Sequence, residues 1–272
     1  MAIVQYFTFI AILFSAKAFP QNIFSGNHEE NFAFEVKQID EFIERFDNRE
    51  NTLIKEYVKA HFPDAQIERT SLIKGLFNQS DTTWKPGVVN EFIADVTNST
   101  SPDFLSFYDS DWYAEVECQF SYSGKVQEAA LTLKVQPEKD GASKWIIAGV
   151  KADFLRLHSA SDSTKSLNPI SHGTDFLGLE KALSDKANLL NYFRRDFKND
   201  QVTSFIYELK NGSLKFKQVN SIVYHFLQID HWVFTIEQFS RDSRNSGWLI
   251  SSLTKASAKH KELYKKEVLH IE

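Results

Sequence analysis

The densest group of reactive side chains is Tyr224-His225-Phe226-Leu227-Gln228-Ile229-Asp230-His231-Trp232, which places two imidazoles, a phenol and a carboxylate within eight residues. An imidazole oriented by a carboxylate can act as a general base near neutral pH, because its unperturbed pKa is about 6.5. On that reading His225 is the base, with Asp230 or Tyr224 assisting. Two imidazoles can also begin a metal site, but no third ligand follows at a useful spacing. The plainer reading makes Ile229-Asp230-His231 a hairpin turn, with Asp favouring the bend and His225 an ordinary strand residue.

Other candidates are weaker. Asp103, Asp109 and Asp111 fall in Ser-Pro-Asp-Phe-Leu-Ser-Phe-Tyr-Asp-Ser-Asp-Trp. Close carboxylates can hold Ca²⁺ or raise one another's pKa. The Gly and distal Glu of a calcium loop are missing, so a polar lead-in to a strand is the simpler interpretation. Arg194-Arg195 ends a helical stretch, where cations suit the helix dipole. Lys255, Lys259, Lys261, Lys265 and Lys266 fall in one C-terminal run that reads as a solvated helix. Cys118 sits in a strand-like stretch with no base nearby in sequence, which fits a packed, unreactive thiol. The chain has no His-Glu-x-x-His, Gly-x-Ser-x-Gly, phosphate loop or dinucleotide fingerprint, which weighs against metalloproteases, serine hydrolases, nucleotidases and dehydrogenases. No cofactor is expected.

Composition narrows the field further. The chain has 272 residues, with 42% apolar and 25% charged side chains, which is ordinary for a globular protein. Phe occurs 24 times, pointing to a core built on aromatic packing. A net charge of −5 argues against general nucleic-acid binding, which needs a basic surface. A single cysteine excludes an intrachain disulfide and a cysteine-based metal cluster.

The first 18 residues read as an export signal. Met1 to Ala16 carry no charge, Ile10 to Phe14 are apolar, and Ala16-Lys17-Ala18 is a small-x-small cleavage pattern. The basic start of such signals is missing. The uncharged run is shorter than a membrane span of about 20 residues. The expected mature chain begins at Phe19, has no integral membrane segment, and works in a bacterial periplasm or at a cell surface.

Residues 158–174 have linker composition, with five Ser in seventeen residues, Asn168-Pro169 and Gly173. They separate a domain at 19–157 from a shorter one at 175–272. Both halves end alike, in Trp145-Ile146-Ile147 and Trp248-Leu249-Ile250. Each ending follows a polar turn and two strand-like stretches: Trp112 to Tyr122 and Val126 to Val135, then Leu214 to Leu227 and Trp232 to Phe239. Apolar residues at 129, 131, 133 and 135 alternate with mostly polar ones, as in a strand with one wet face. Short turns between such strands imply antiparallel meanders. Helical spacing precedes each meander, at Phe34 to Phe46 and Thr52 to Phe62, then at Phe176 to Leu183 and Lys186 to Phe193. The expected class is α+β, with helices on one face of each sheet.

Helices followed by a long meander ending in a Trp-led strand resemble the NTF2-like superfamily of cone-shaped α+β domains. The resemblance rests on Trp112 to Tyr122, Val126 to Val135 and Lys144 to Val150, with counterparts at Leu214 to Leu227, Trp232 to Phe239 and Gly247 to Leu253. It implies two tandem copies, each sheet curling around a pocket that faces its own upstream helices. Some members of that superfamily are isomerases or dehydratases and many only bind, so fold alone does not select a function. Three expectations follow. The first is an exported, non-catalytic module that binds a small ligand or a protein partner in an aromatic-lined concavity. The second is a lyase- or isomerase-like enzyme using His225, Asp230 and Tyr224. The third is a structural component of an envelope assembly. Convergent titratable groups in a deep cavity favour the enzyme, an open apolar groove favours binding, and a Phe-filled pocket favours the structural role.

Overall fold

The computed structural model describes residues 26–139, 141–156, 179–193 and 200–271. The expected export signal, the linker and Arg194-Arg195 lie outside the described residues. Five helices come first: α1 (Gly26–Phe34), α2 (Ile39–Phe46), α3 (Leu53–His61), α4 (Arg69–Gly75) and α5 (Pro86–Val96). Strands β1 (Trp112–Tyr122), β2 (Lys125–Pro137) and β3 (Ser143–Lys151) follow. After them come α6 (Leu179–Ser184), α7 (Gln201–Lys210), strands β4 (Leu214–Phe226), β5 (Trp232–Phe239) and β6 (Gly247–Lys255), and α8 (Ala258–Glu267).

The protein is α+β, and its sheet is antiparallel, as the alternation implied. The arrangement of that sheet differs from expectation. All six strands form one sheet in the order β3-β2-β1-β4-β5-β6. The seam is β1 against β4, paired along the full length of both strands, from Trp112 opposite Phe226 to Tyr122 opposite Leu214. Two separately closed sheets are therefore replaced by two meanders joined edge to edge. Outward from the seam each side repeats the same strand sequence, 1-2-3 and 4-5-6.

The helices also depart from expectation, because each set covers the other half's strands. On β1 the even residues Trp112 to Phe120 share one face, and β4 keeps Tyr224 and Phe226 on that same face. At one end of it, α2, α4 and α5 pack onto β5, β6 and the end of β4. Phe42, Phe46 and Phe92 meet Phe226, Trp232 and Phe234 there, with ring centroids 5.4–6.3 Å apart. At the other end, Phe205 of α7 packs edge-on against Phe120 of β1 at 5.4 Å, in a cluster with Cys118, Ala129, Val150 and Leu214. A helix buries its apolar stripe wherever the strongest complementary face lies, and chain proximity does not decide this.

Local sequence explains the elements. Pro86 opens α5, where a missing N–H costs nothing. Asp200 caps α7 by accepting from the Val202 and Thr203 amides. Arg69 holds the ends of two helices together, donating from Nε to the Phe46 carbonyl at 2.8 Å and from a terminal nitrogen to the Val96 carbonyl at 2.9 Å. The helical spacing read over Phe34 to Phe46 is broken at Val36, whose backbone leaves the helix to bridge Gly247.

The opposite face of the sheet carries α8 and the C-terminal tail. Tyr113, Leu227, Val233, Ala256 and Leu269 form a small core there. Lys261 docks the helix by donating to the carbonyls of Leu227 and Ile229 at 2.8 and 2.5 Å. A Cβ on Gly149 would lie 2.8 Å from the carbonyl oxygens of Leu269 and His270, so this glycine lets the tail cross β3 closely. Among the described residues no helix is long and apolar enough to cross a membrane.

Candidate functional site

Neighbouring residues on β4 face opposite ways, and this separates the leading candidates. Tyr224 lies on the helical face, its ring 4.9 Å from that of Trp248 and 6.0 Å from that of Trp112. Burial raises its pKa. His225 lies on the other face beneath α8 and is 5% exposed. Its Nδ1 is 2.8 Å from the Tyr264 hydroxyl, and its Nε2 is buried without a hydrogen-bond partner. Desolvation lowers its pKa to about 4, so the imidazole is neutral at physiological pH. Asp230 and His231 form the turn between β4 and β5, and His231 has a positive φ of 59°. Tyr224 and His225 thus share no solvent-facing cavity.

The remaining candidates are spent on structure. Asp111 pairs with Lys265 of α8 at 2.7 Å and accepts from the Tyr113 hydroxyl at 3.3 Å. Its partners pin α8 to the sheet. Burial pushes the Asp103 carboxyl up, and Asp230 adds to the shift. Lys255, at the end of β6, pairs with Glu91 of α5, and Lys261 and Lys265 dock α8. Cys118 is buried, and desolvation raises its thiol pKa, which keeps it protonated. Among the described residues no three His, Cys, Asp or Glu side chains cluster as metal ligands.

The concave space expected between helices and sheet is filled by the Phe and Trp core described above. An apolar cavity occurs elsewhere, within the first helical group. It measures about 510 Å³, inside the usual range for small-ligand sites. Phe34 of α1, Ile54 and Val58 of α3, Leu72 of α4 and Leu76 just after it form its walls, with Phe62, Ala65 and Ile67 from the loop after α3. Phe62 is 53% exposed at the mouth of the cavity. A neighbouring recess of about 590 Å³ shares Val58, Ala65 and Ile67. It is walled mainly by Asn48, Glu50, Asn51, Lys55, Glu56 and Lys59, so it offers a ligand little apolar area to bury.

Polar groups in the apolar cavity are few and fixed. Glu30 and Arg244 form an ion pair at its rim, and the Arg244 guanidinium lies over the Phe34 ring at 5.2 Å. Asn245 secures the β5–β6 loop by donating to the Gly75 and Phe77 carbonyls at 3.0 and 2.8 Å. Arg45 is buried and fastens α1 to α2. It donates to the carbonyls of Ala33, Phe34 and Glu35, satisfying the end of α1, and pairs with Glu41 at 2.6 Å. Desolvation lowers the Arg45 pKa and Glu41 offsets part of that shift. The wall is therefore stapled in place, which reduces the ordering cost of filling the cavity.

Sequence reasoning recognised the apolar spacing of Ile54, Val58 and Phe62 but missed α4 and the cavity. The run Leu72-Ile73 with Leu76 had the local spacing to reveal α4. No family model, curated protein or solved structure matches the chain.

Proposed function

We propose that this is an exported, non-catalytic binding protein that holds a small, largely apolar molecule between α1, α3 and α4. The observation that carries this reading is the open cavity of about 510 Å³ with an apolar wall and a charged rim. Apolar burial supplies affinity and the Glu30–Arg244 pair orients a polar end. Export rests on the uncharged Met1 to Ala16 and the Ala16-Lys17-Ala18 pattern. The lyase or isomerase alternative draws no support from His225, which is enclosed beneath α8. The repeated strand sequence on either side of the β1–β4 seam supports reading the chain as two NTF2-like copies whose sheets have fused and whose helices have exchanged places.

Gly75 gives a direct test. It lines the cavity, and a Cβ there would meet nothing within 4 Å. Gly75→Phe therefore fills the space without a backbone conflict. The dye anilinonaphthalene sulfonate is expected to bind the native chain at one site, with a blue-shifted emission, and at least tenfold more weakly to Gly75→Phe. Equal binding by both proteins at unchanged melting temperature overturns the proposal.

A further inference from the structure

An interior strand of the sheet has an open edge among the described residues. β4 is fourth of six, yet it pairs with β5 only at Tyr224, His225 and Phe226. From Leu214 to Val223 its far side meets no strand among the described residues, while β1 occupies the near side throughout. Residues 215 to 221 are all exposed. Phe216 is 56% and Val219 47% exposed, both on the helical face. The contrast with the sheet's β6 edge is plain. There the Val36 and Trp248 backbones bond at 2.8 Å, and Ile250 bonds to Leu76 and Asn78 at 2.7 and 3.0 Å, so that edge is closed.

A row of unpaired backbone groups selects an extended strand as its occupant. Charge narrows the choice. Residues 214–223 contain Lys215 and Lys217 and no acid, in a chain of net charge −5. A second copy fits poorly, because it would bring the same lysines to one seam. We infer that the open edge of β4 binds an extended segment of another protein, one that alternates acidic and apolar residues and adds a strand in the notch beside β5. Its apolar side chains would cover Phe216 and Val219, and its acids would face Lys215 and Lys217. This site is distinct from the cavity, so filling the cavity with Gly75→Phe leaves it intact.

The probe is a labelled synthetic peptide alternating Glu and Val, compared with its Lys-for-Glu version and with a version N-methylated on every second residue. Fluorescence anisotropy with the full chain is expected to show binding of the acidic peptide alone. N-methylation should abolish it, because it removes the ladder donors. The double variant Lys215→Glu, Lys217→Glu alters only exposed side chains. It should weaken the acidic peptide about tenfold and admit the lysine peptide. Hydrogen exchange should show those amides of 215–223 that point away from β1 open in the free monomer and protected with peptide. The inference fails if those amides are already protected in the monomer or stay open with peptide. It fails equally if N-methylation changes nothing, or if protection appears only through self-association seen by sedimentation.

Discussion

The two ends of the sheet's helical face are closed to different degrees. Over β5 and β6, helices α2, α4 and α5 bury a continuous aromatic core, and the edge of β6 is sealed by the backbone at Val36 and Phe77. Over β1, β2 and the start of β4, the described cover is α7 and a short 3-10 turn at Asp153–Leu155, with a much smaller core. The open edge of β4 lies at this second end. Where apolar cover is thick, the outer strand β6 is sealed by backbone bonds; where it is thin, Phe216 and Val219 beside the edge of β4 remain accessible. Stability and access to a partner are thus assigned to different regions of one sheet.

The largest effect is expected in the thick core. Phe234 stacks on Phe226 at 4.9 Å and touches rings from α2 and α5. Phe234→Ala should cost about 3–5 kcal/mol in urea unfolding. A loss below about 1 kcal/mol would break the comparison.

Acid should act next, through the opposite face. His225 has its folded pKa lowered to about 4 from 6.5, so the fold prefers the neutral ring. The stability this contributes is complete above pH 6.5 and is lost as pH falls toward 4. The difference is about 3 kcal/mol by linkage. A pH series of unfolding curves should show this loss in the native chain and a shallower one in His225→Gln. Identical slopes would mean that the ring is not enclosed by α8.

The sealed edge gives a third test. Gly247 has a φ of 86°, and a Cβ there would lie 2.0 Å from the Val36 carbonyl oxygen. Gly247→Ala combines left-handed strain with a displaced backbone, for about 2–3 kcal/mol. It should also open the β6 edge to amide exchange. Retained protection at residues 247–250 would contradict the edge closure.

The smallest effect belongs to the thin end. Phe205→Ala should cost about 2 kcal/mol, because partly exposed Tyr122, Phe154 and Val202 can settle into the space. Its exchange effects should stay near the start of β4. Global unfolding of Phe234→Ala size would show that α7 carries as much as the first helices do.

How far the sequence could be read follows from the range of each interaction. Trp112–Tyr122 and Trp232–Phe239 were expected as strands with the bounds that β1 and β5 have, because period-two alternation is written in neighbouring residues. The apolar face of α3 was readable for the same reason. The chemistry around His225 was not. Tyr224 and His225 are adjacent in sequence, and only the pleat sends them to opposite faces.

The sequence alone determined the α+β class, the two antiparallel meanders, and the aromatic character of the core, since these depend on local spacing and composition. Tertiary structure alone decided that β1 joins β4, that each helical group covers the other half's strands, and that the apolar cavity and the far side of β4 stay open among the described residues. Those outcomes rest on contacts between segments far apart in the sequence, such as Phe120 with Phe205 and Trp112 with Phe226. Their energies depend on which faces meet, and no local pattern records that choice.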